Sequence, residues 1–384
     1  MKLNPNELFY IDNKLFVFDS VVVKLIEYKD KYGIVLDKTG FFPEAGGQKG
    51  DLGTLNGISV LDVQVTENGI EHFVSCPIEV GTLVHGELDK ELRLKKERNH
   101  SGEHIVSAVV HKLFGYNNVG FHMGEEGMDV DFDGSFTKDE LVEIERQANR
   151  IVRENVAVKC YFPTEEELKR ISYRSKLELS TPRIVEIVGY DFCACCAPHV
   201  STTGEIGLIK IVDCYKNRGN TRLTLLCAED AVEYVLSVCS DADKSGAMLS
   251  VKPYSVSSAI TKQLKSNEEL VRLNAELKHS ISLEIVSNLK ASENYLVVFA
   301  PSFASKDVLN KGLELSQKGV CIFSGNDDDY TYVLASKAGD MRGLATSLNQ
   351  TFSGKGGGKP TQVQGRIKAS KEQIEKFFHK GEKE

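Results

Sequence analysis

A chain of 384 residues with 41% hydrophobic and 27% charged residues has a globular make-up, and its length exceeds what one core usually serves, so two or three domains are expected. The formal charge of −8 excludes a surface that attracts nucleic acid as a whole, although local basic patches remain open. No run approaches the roughly 18–20 apolar residues that span a bilayer, the first residues lack a signal or transit pattern, and nine irregularly spaced cysteines argue against a disulfide framework, so a cytoplasmic protein is expected.

In chain order, LFVFDSVVVKLIEY, YGIVLDKT, DLGTLNGISVLDVQVT and EHFVSC alternate apolar and polar residues between turn pairs. They predict short strands of a small barrel or sandwich. Residues 88–115 predict a helix with Leu92, Ile105, Val109 and Leu113 on one face, followed by a strand pair at NVGFHMG and GMDVDFDG. Thr137 and Glu140 form a capping-box pattern that opens a helix running to about Glu154. VAVKCYF predicts a strand, PTEEELKRIS a short helix, and residues 183–227 more strands. Residues 228–289 are helical and polar, broken at Pro253, with a narrow apolar stripe at Leu270, Leu273, Leu277 and Ile281 that suits a connector or dimer seam. NYLVVFAPS, GVCIFSG and YTYVLAS are buried strands of a last α/β segment, ending in the cluster GKGGGKP and a charged helical tail.

Two motifs carry the chemistry. His100 and His104 lie four residues apart, as do Cys195 and His199, and on a helix that spacing puts both side chains on one face. Three imidazoles and one thiolate suit zinc. A zincin would need Glu directly after the first His, and here Glu103 precedes the second instead. Four protein ligands normally close a structural site, whereas hydrolytic zinc keeps a position open. Cys193 and Cys196 lie within reach of the same ion and are read as inert packing, and single cysteines such as Cys76, Cys160, Cys227 and Cys321 as buried hydrophobes. In LDKTGFFPEAGGQKGDLG, Gly46 and Gly47 permit close backbone approach, Gln48 offers a donor and an acceptor, and Thr39 offers a hydroxyl. Taken alone this is a glycine-rich turn. The basic runs at residues 92–98 and around Lys355, Lys359, Arg366 and Lys368 read as solvated faces on charge alone.

The order GGQ-x-G-D-x-G (residues 46–53), R-x-H-x-x-x-H (98–104), C-x-x-x-H-V (195–200) and G-x-x-R (219–222) resembles the editing region of alanyl-tRNA synthetases and the free-standing AlaX-type alanyl-tRNA editing proteins. GGGKP (356–360) is similar to the signature of the DHH-associated C-terminal domain, so the resemblance covers nearly the whole chain and points to the long form. It implies an α+β protein in four parts: a small β-barrel (1–90), a zinc-binding editing domain (91–238), a helical connector or dimerisation segment (239–290) and a C-terminal α/β domain (291–384). No counterpart of the aminoacylation domain is expected, so the chain should not charge tRNA. The implied activity is zinc-dependent deacylation of tRNA(Ala) carrying serine, and to a lesser degree glycine. Zn2+ would sit on His100, His104, Cys195 and His199, Gln48 at the reaction centre, and Thr39 on the serine hydroxyl. Gly46, Gly47, Arg98, Arg222, Lys355 and Lys359 would contact tRNA, and the helical and C-terminal region would form a homodimer. Two departures stand out: the family's H-T-A-x-H is His-Ser-Gly-Glu-His here, and its C-G-G-T-H is Cys-Cys-Ala-Pro-His. The rival readings are a non-catalytic, zinc-stabilised RNA-binding protein and a metal-dependent amidase or esterase for small molecules.

Overall fold

The structure, a computed structural model, describes residues 4–124, 127–175 and 182–380. It resolves into two compact units, Met1–Lys244 and Ser245–Glu384. After a short helix α1 (Leu8–Ile11), the first unit opens with β1 (Val17–Glu27), β2 (Tyr32–Leu36), β3 (Gly53–Leu55), β4 (Ile58–Thr66), β5 (Gly69–Val74) and β6 (Leu83–Leu88). They close into a barrel in the order β1-β2-β5-β4-β3-β6. The period-two pattern does the closing: along β1, Phe18, Ser20 and Val22 point inward while Val17, Asp19 and Val21 face out. The interior is filled by Phe18, Ile34, Phe41, Leu55, Val63 and Val84, so the barrel is packed rather than hollow. Gly40 and Gly86 face Phe18, where a Cβ would come within 2.8 and 2.6 Å of its ring.

The barrel hands the chain to α2 (Lys90–Phe114), capped by the Asp89 carboxylate and ended by Gly115 in the left-handed region. There follow β7 (Asn118–Met123), β8 (Met128–Phe132), α3 (Lys138–Glu154), β9 (Val158–Tyr161), α4 (Glu165–Leu168), β10 (Ile184–Ile187), β11 (Asp191–Ala194), β12 (Ile209–Asn217), β13 (Asn220–Cys227) and α5 (Ala228–Leu249). The strands make two antiparallel sheets, β12-β13-β8-β7 and β11-β10-β9. As expected, Thr137 and Glu140 complete a capping box at the start of α3.

Helix α2 departs from its expected single apolar face. Ile105 and Val109 are buried, but Leu113 is 44% exposed. Instead every residue from Asn99 to Val110 is buried, although the helix is polar on average. Nor is the run 92–98 a solvated face: Arg93 and Lys96 are buried, while Lys95 pairs with Asp230 and Arg98 with Glu229. The Arg93 guanidinium grips the Asp51 carboxylate and the Gly40 carbonyl (2.7 Å), and Asp51 also accepts from Phe42 N at 2.7 Å. Next to them Glu97 is fully buried, 3.5 Å from Lys14 Nζ and 3.8 Å from Arg93 Nη1. Burial outweighs these cations and raises the Glu97 carboxyl to about 7. A carboxyl raised on folding favours the folded state below its unfolded pKa near 4.5, and that contribution is lost as pH climbs to about 7. Glu97→Gln is therefore expected to match the native protein at pH 5 and exceed its stability by about 2–3 kcal/mol at pH 8. Urea melts at the two pH values test this, and an equal difference at both would refute it.

Gly102, where the resemblance has alanine, packs against β13. A Cβ there would lie 2.3 Å from Cys227 Sγ. The small residue on the helix and the thiol on the strand thus fill one space together. Gly102→Ala is expected to cost about 1–3 kcal/mol by overpacking, and Cys227→Ala in the same chain should restore most of it. Cys227 and Cys321 are buried as expected, Cys160 is half-buried, and Cys76 is exposed on the turn that leaves β5.

The second unit holds α6 (Val256–Ser287), β14 (Tyr295–Phe299), α7 (Ser305–Leu315), β15 (Gly319–Asn326), β16 (Asp329–Ala335), α8 (Arg342–Thr351), β17 (Lys355–Lys359), β18 (Gln362–Ile367) and α9 (Lys371–Lys380). Its sheet runs β14-β15-β16-β18-β17, with β14 and β15 parallel across α7 and the rest antiparallel. The glycine cluster forms the edge strand β17. Gly356 and Gly365 lie over Tyr332, whose hydroxyl would meet a Cβ on either at 2.4 Å. On α6, Leu270, Leu273, Leu277 and Ile281 are 40–62% exposed, the stripe expected from sequence. No helix among the described residues is long and apolar enough to cross a membrane.

Candidate metal centre

Helix α2 presents His100 and His104 one turn apart, and the loop after β11 brings Cys195 and His199 up to them. That loop starts in register because β11 pairs with β10 and Cys195 N bonds Arg183 O at 3.0 Å. One donor atom from each of the four residues lies within 4.8 Å of all the others. Cys195 Sγ stands 3.6 Å from His100 Nε2 and 3.4 Å from His199 Nε2. An ion bound tetrahedrally at zinc distances sets neighbouring donors about 3.3–3.6 Å apart, so these separations suit it.

The surrounding hydrogen bonds orient the rings for the same task. His100 Nδ1 lies 2.9 Å from Gln48 Oε1, and His199 Nδ1 lies 2.9 Å from Ser101 Oγ, which also accepts from Val200 N. With a proton on each Nδ1, both Nε2 lone pairs face the centre. Burial, and then the neighbouring His104 and His100, hold His199 well below the usual histidine range, so its imidazole is neutral. Burial, with Cys196 and Cys193 beside it, pushes the Cys195 thiol well up. A dication inverts that preference by binding the thiolate directly. The residues therefore fit a zinc ion in both chemistry and spacing.

A cavity of about 690 Å³ opens onto His100, His104 and Cys195. Glu103, Phe121, Arg174, Arg183, Tyr190 and Asp191 are among its other walls. Glu103 accepts from Asn118 Nδ2 at 2.5 Å and from the Ser107 hydroxyl, and its Oε2 is 3.8 Å from His104 Nε2. Arg174 forks onto Asp191 at 2.9 and 2.6 Å. Reading the sequence set Glu103 aside and passed over Arg174 and Arg183. Only Glu103 carried a signal, its place between two ligands.

The residues expected at the site fall into two groups. Gln48 is fully buried against His100, and its Nε2 has no hydrogen-bond partner among the described residues. Gly46 lines the cavity in the left-handed region (φ 61°). Gly47 (φ 84°) docks on β7, where Met123 N bonds its carbonyl and a Cβ would sit 2.6 Å from Phe121 O. Thr39 is buried in the barrel and does not line the cavity. Its hydroxyl accepts from Phe41 N at 3.0 Å and lies 2.8 Å from His72 Nε2. Burial lowers His72 to about 4, and its Nδ1–H meets Ile34 O, so Nε2 takes the threonine proton. Arg98 is forked by Glu229, and Arg222 is held by Asp131 and Asp129. Lys355 and Lys359 belong to the second unit, exposed on β17.

Two family models match parts of the chain. The family described as threonyl and alanyl tRNA synthetase second additional domain matches residues 183–224, and that described as tRNA synthetases class II (A) matches residues 10–92. The alanine–tRNA ligase of Methanococcus vannielii is 30% identical over 98% of this chain, but the chain covers only 44% of it. It thus spans less than half the length of such ligases. The alanyl-tRNA editing protein AlaX-L of Pyrococcus horikoshii is 27% identical over 96% of both chains. The Xenopus laevis editing protein Aarsd1-B is 26% identical over 90% of this chain and 86% of its own. The chain is therefore a relative of the long-form AlaX-type alanyl-tRNA editing proteins, similar along its length to the matching part of the alanine–tRNA ligases.

Proposed function

We propose that the protein is a cytoplasmic trans-editing hydrolase that deacylates misacylated tRNA(Ala), chiefly Ser-tRNA(Ala) and secondarily Gly-tRNA(Ala). The observation that carries this reading is the convergence of three imidazoles and a thiol on a cavity of about 690 Å³. That volume lies within the range of pockets that enclose a small ligand, here an aminoacyl-adenosine. His100, His104, Cys195 and His199 would hold Zn2+, which supplies Lewis acidity and a fixed positive charge when bound. Because four protein donors are present, positioning of the substrate suits the ion better than making hydroxide.

On the resemblance, Gln48 is assigned to the reaction centre. It is fully buried behind His100 and off the cavity wall, with its carbonyl oxygen on His100, so its Nε2 is the group assigned to the ester carbonyl or the attacking water. On the resemblance alone, Thr39 is assigned the serine hydroxyl, although it is buried in the barrel and does not line the cavity. With its own proton given to His72, it can only accept from that hydroxyl. Such a bond is what lets a second site retain serine and reject alanine, a distinction the aminoacylating pocket makes poorly. Gly46, Gly47, Arg98, Arg222, Lys355 and Lys359 are assigned to tRNA, the last two as phosphate contacts. The exposed stripe from Leu270 to Ile281 is assigned to a homodimer seam.

Release of serine from Ser-tRNA(Ala), with Ala-tRNA(Ala) as control, tests the function. Gln48→Ala is expected to lower the rate by about 10²–10³. Thr39→Val should narrow the preference for serine over alanine while leaving the alanine rate alone. No deacylation by metal-replete protein would favour the second reading, a structural zinc in an RNA-binding protein, which the complete four-donor set also suits.

A further inference from the structure

Three buried or near-buried arginines lie in the first unit close to the metal centre, and two have a carboxylate. Arg93 is paired with Asp51, and Arg174 with Asp191. Arg183 is different. It is 3% exposed and lines the cavity, yet among the described residues no carboxylate pairs with it. Its Nη1 donates to Cys195 O (3.1 Å) and Ala197 O (2.8 Å), and its guanidinium lies 4.9 Å from the Tyr10 ring centroid. Both carbonyl bonds use Nη1, and a further polar neighbour of the guanidinium is the Cys160 thiol, which burial keeps neutral and which therefore supplies no counter-charge. Among the described residues the acids on the cavity wall are engaged elsewhere: Asp191 with Arg174, and Glu103 with Asn118 and Ser107 beside His104.

A buried charge is normally matched by a counter-charge. A guanidinium held rigid by two carbonyls, beside the loop that carries two candidate metal donors, and with no carboxylate among the described residues, is suited to receive an anion. We infer that Arg183 is an anion subsite that takes the phosphate on the 5′ side of the terminal adenosine. The choice of phosphate rests on the editing reading, in which the amino acid's own carboxyl is esterified and uncharged. The nearest anion in such a substrate is the phosphodiester, and a guanidinium fork matches its geometry. The arrangement would seat the terminal nucleotide with its ester toward the four donors, one residue away at Cys195.

The test is calorimetric titration of the full chain, as purified, with 5′-AMP and with adenosine. AMP should bind about tenfold or more tightly than adenosine. In Arg183→Gln adenosine binding should persist and the AMP advantage disappear, with metal content measured alongside. Arg183→Lys, which keeps the charge but not the fork, should retain only part of the advantage. Equal binding of AMP and adenosine by the native protein overturns the inference, and so does an undiminished advantage in a folded, metal-containing Arg183→Gln. Should that variant not fold, an undiminished advantage in Arg183→Lys overturns it equally. A titration pair of serine and serinamide separates the sources of the anion. An Arg183-dependent gain for serine alone would assign the subsite to the released carboxylate and refute the phosphate. The two proposals fail separately: deacylation without an AMP advantage removes only the subsite, and an Arg183-dependent AMP advantage without deacylation removes only the editing reading.

Discussion

Cys195→Ala is expected to strip the metal from the protein on dialysis and to lower Ser-tRNA(Ala) deacylation by more than about 100-fold. Loss of groups that merely orient a ligand costs about 10–100-fold in metal affinity, and loss of a ligand should cost more. Cys195 is also the one donor that supplies negative charge to the four. Without it, three imidazoles, which ligate as neutral groups, would face a dication in a buried site, and the charge would be balanced by no thiolate. Metal analysis with parallel kinetics checks this, and a variant that keeps full zinc content would exclude Cys195 as a ligand. Ser101→Ala provides the graded comparison. It removes the hydroxyl at His199 Nδ1 but no donor, so it should weaken binding without abolishing it.

Asp51→Ala is expected to be the most destabilising single substitution in the first unit, by about 3–5 kcal/mol. The carboxylate faces Arg93, whose side chain is completely buried, and it accepts from Phe42 N. Removing it leaves the guanidinium to the more distant Glu97 carboxyl, 3.8 Å away, and a backbone N–H without its acceptor. Lys96 Nζ, 3.9 Å away, adds a second cation to the unbalanced group. Thermal melts should show the first unit's transition falling by roughly 10 °C or more. The double variant Asp51→Ala with Arg93→Met should recover part of the loss, because a buried ion pair can often be replaced by apolar groups but seldom halved. A single variant within 1 kcal/mol of the native protein would show that water reaches Arg93.

What could be read from the sequence was what depends on residue type and short spacing. The barrel strands alternate with period two, and the capping box at Thr137 is a local pattern, so both were legible. The donors His100, His104, Cys195 and His199 announced themselves because few other roles need those side chains at that spacing. Burial was not legible. Nothing in LRLKKER says that Arg93 and Lys96 go inside while Lys95 and Arg98 pair on the surface. That outcome depends on Asp51, Glu229 and Asp230, which are remote in sequence. The strand β17 was hidden for a related reason: three consecutive glycines have little intrinsic strand preference. They are held extended by β18 and by the Tyr332 ring beneath Gly356 and Gly365. Arg183 looked like an ordinary residue before a strand, and only the arrangement of carboxylates in space sets it apart.

Helix α2 is anchored at one end to the barrel through Arg93 and Asp51, and two turns later it delivers His100 and His104 to the metal centre. Because a helix is stiff over that distance, the barrel works as the surveyor's benchmark from which two donors are set out. Gene truncations that start the chain near residue 90 would keep every predicted metal ligand and still lose the reference that aligns them. A minimal fragment meant to keep the four donors aligned should therefore be cut after α5 and never between β6 and α2.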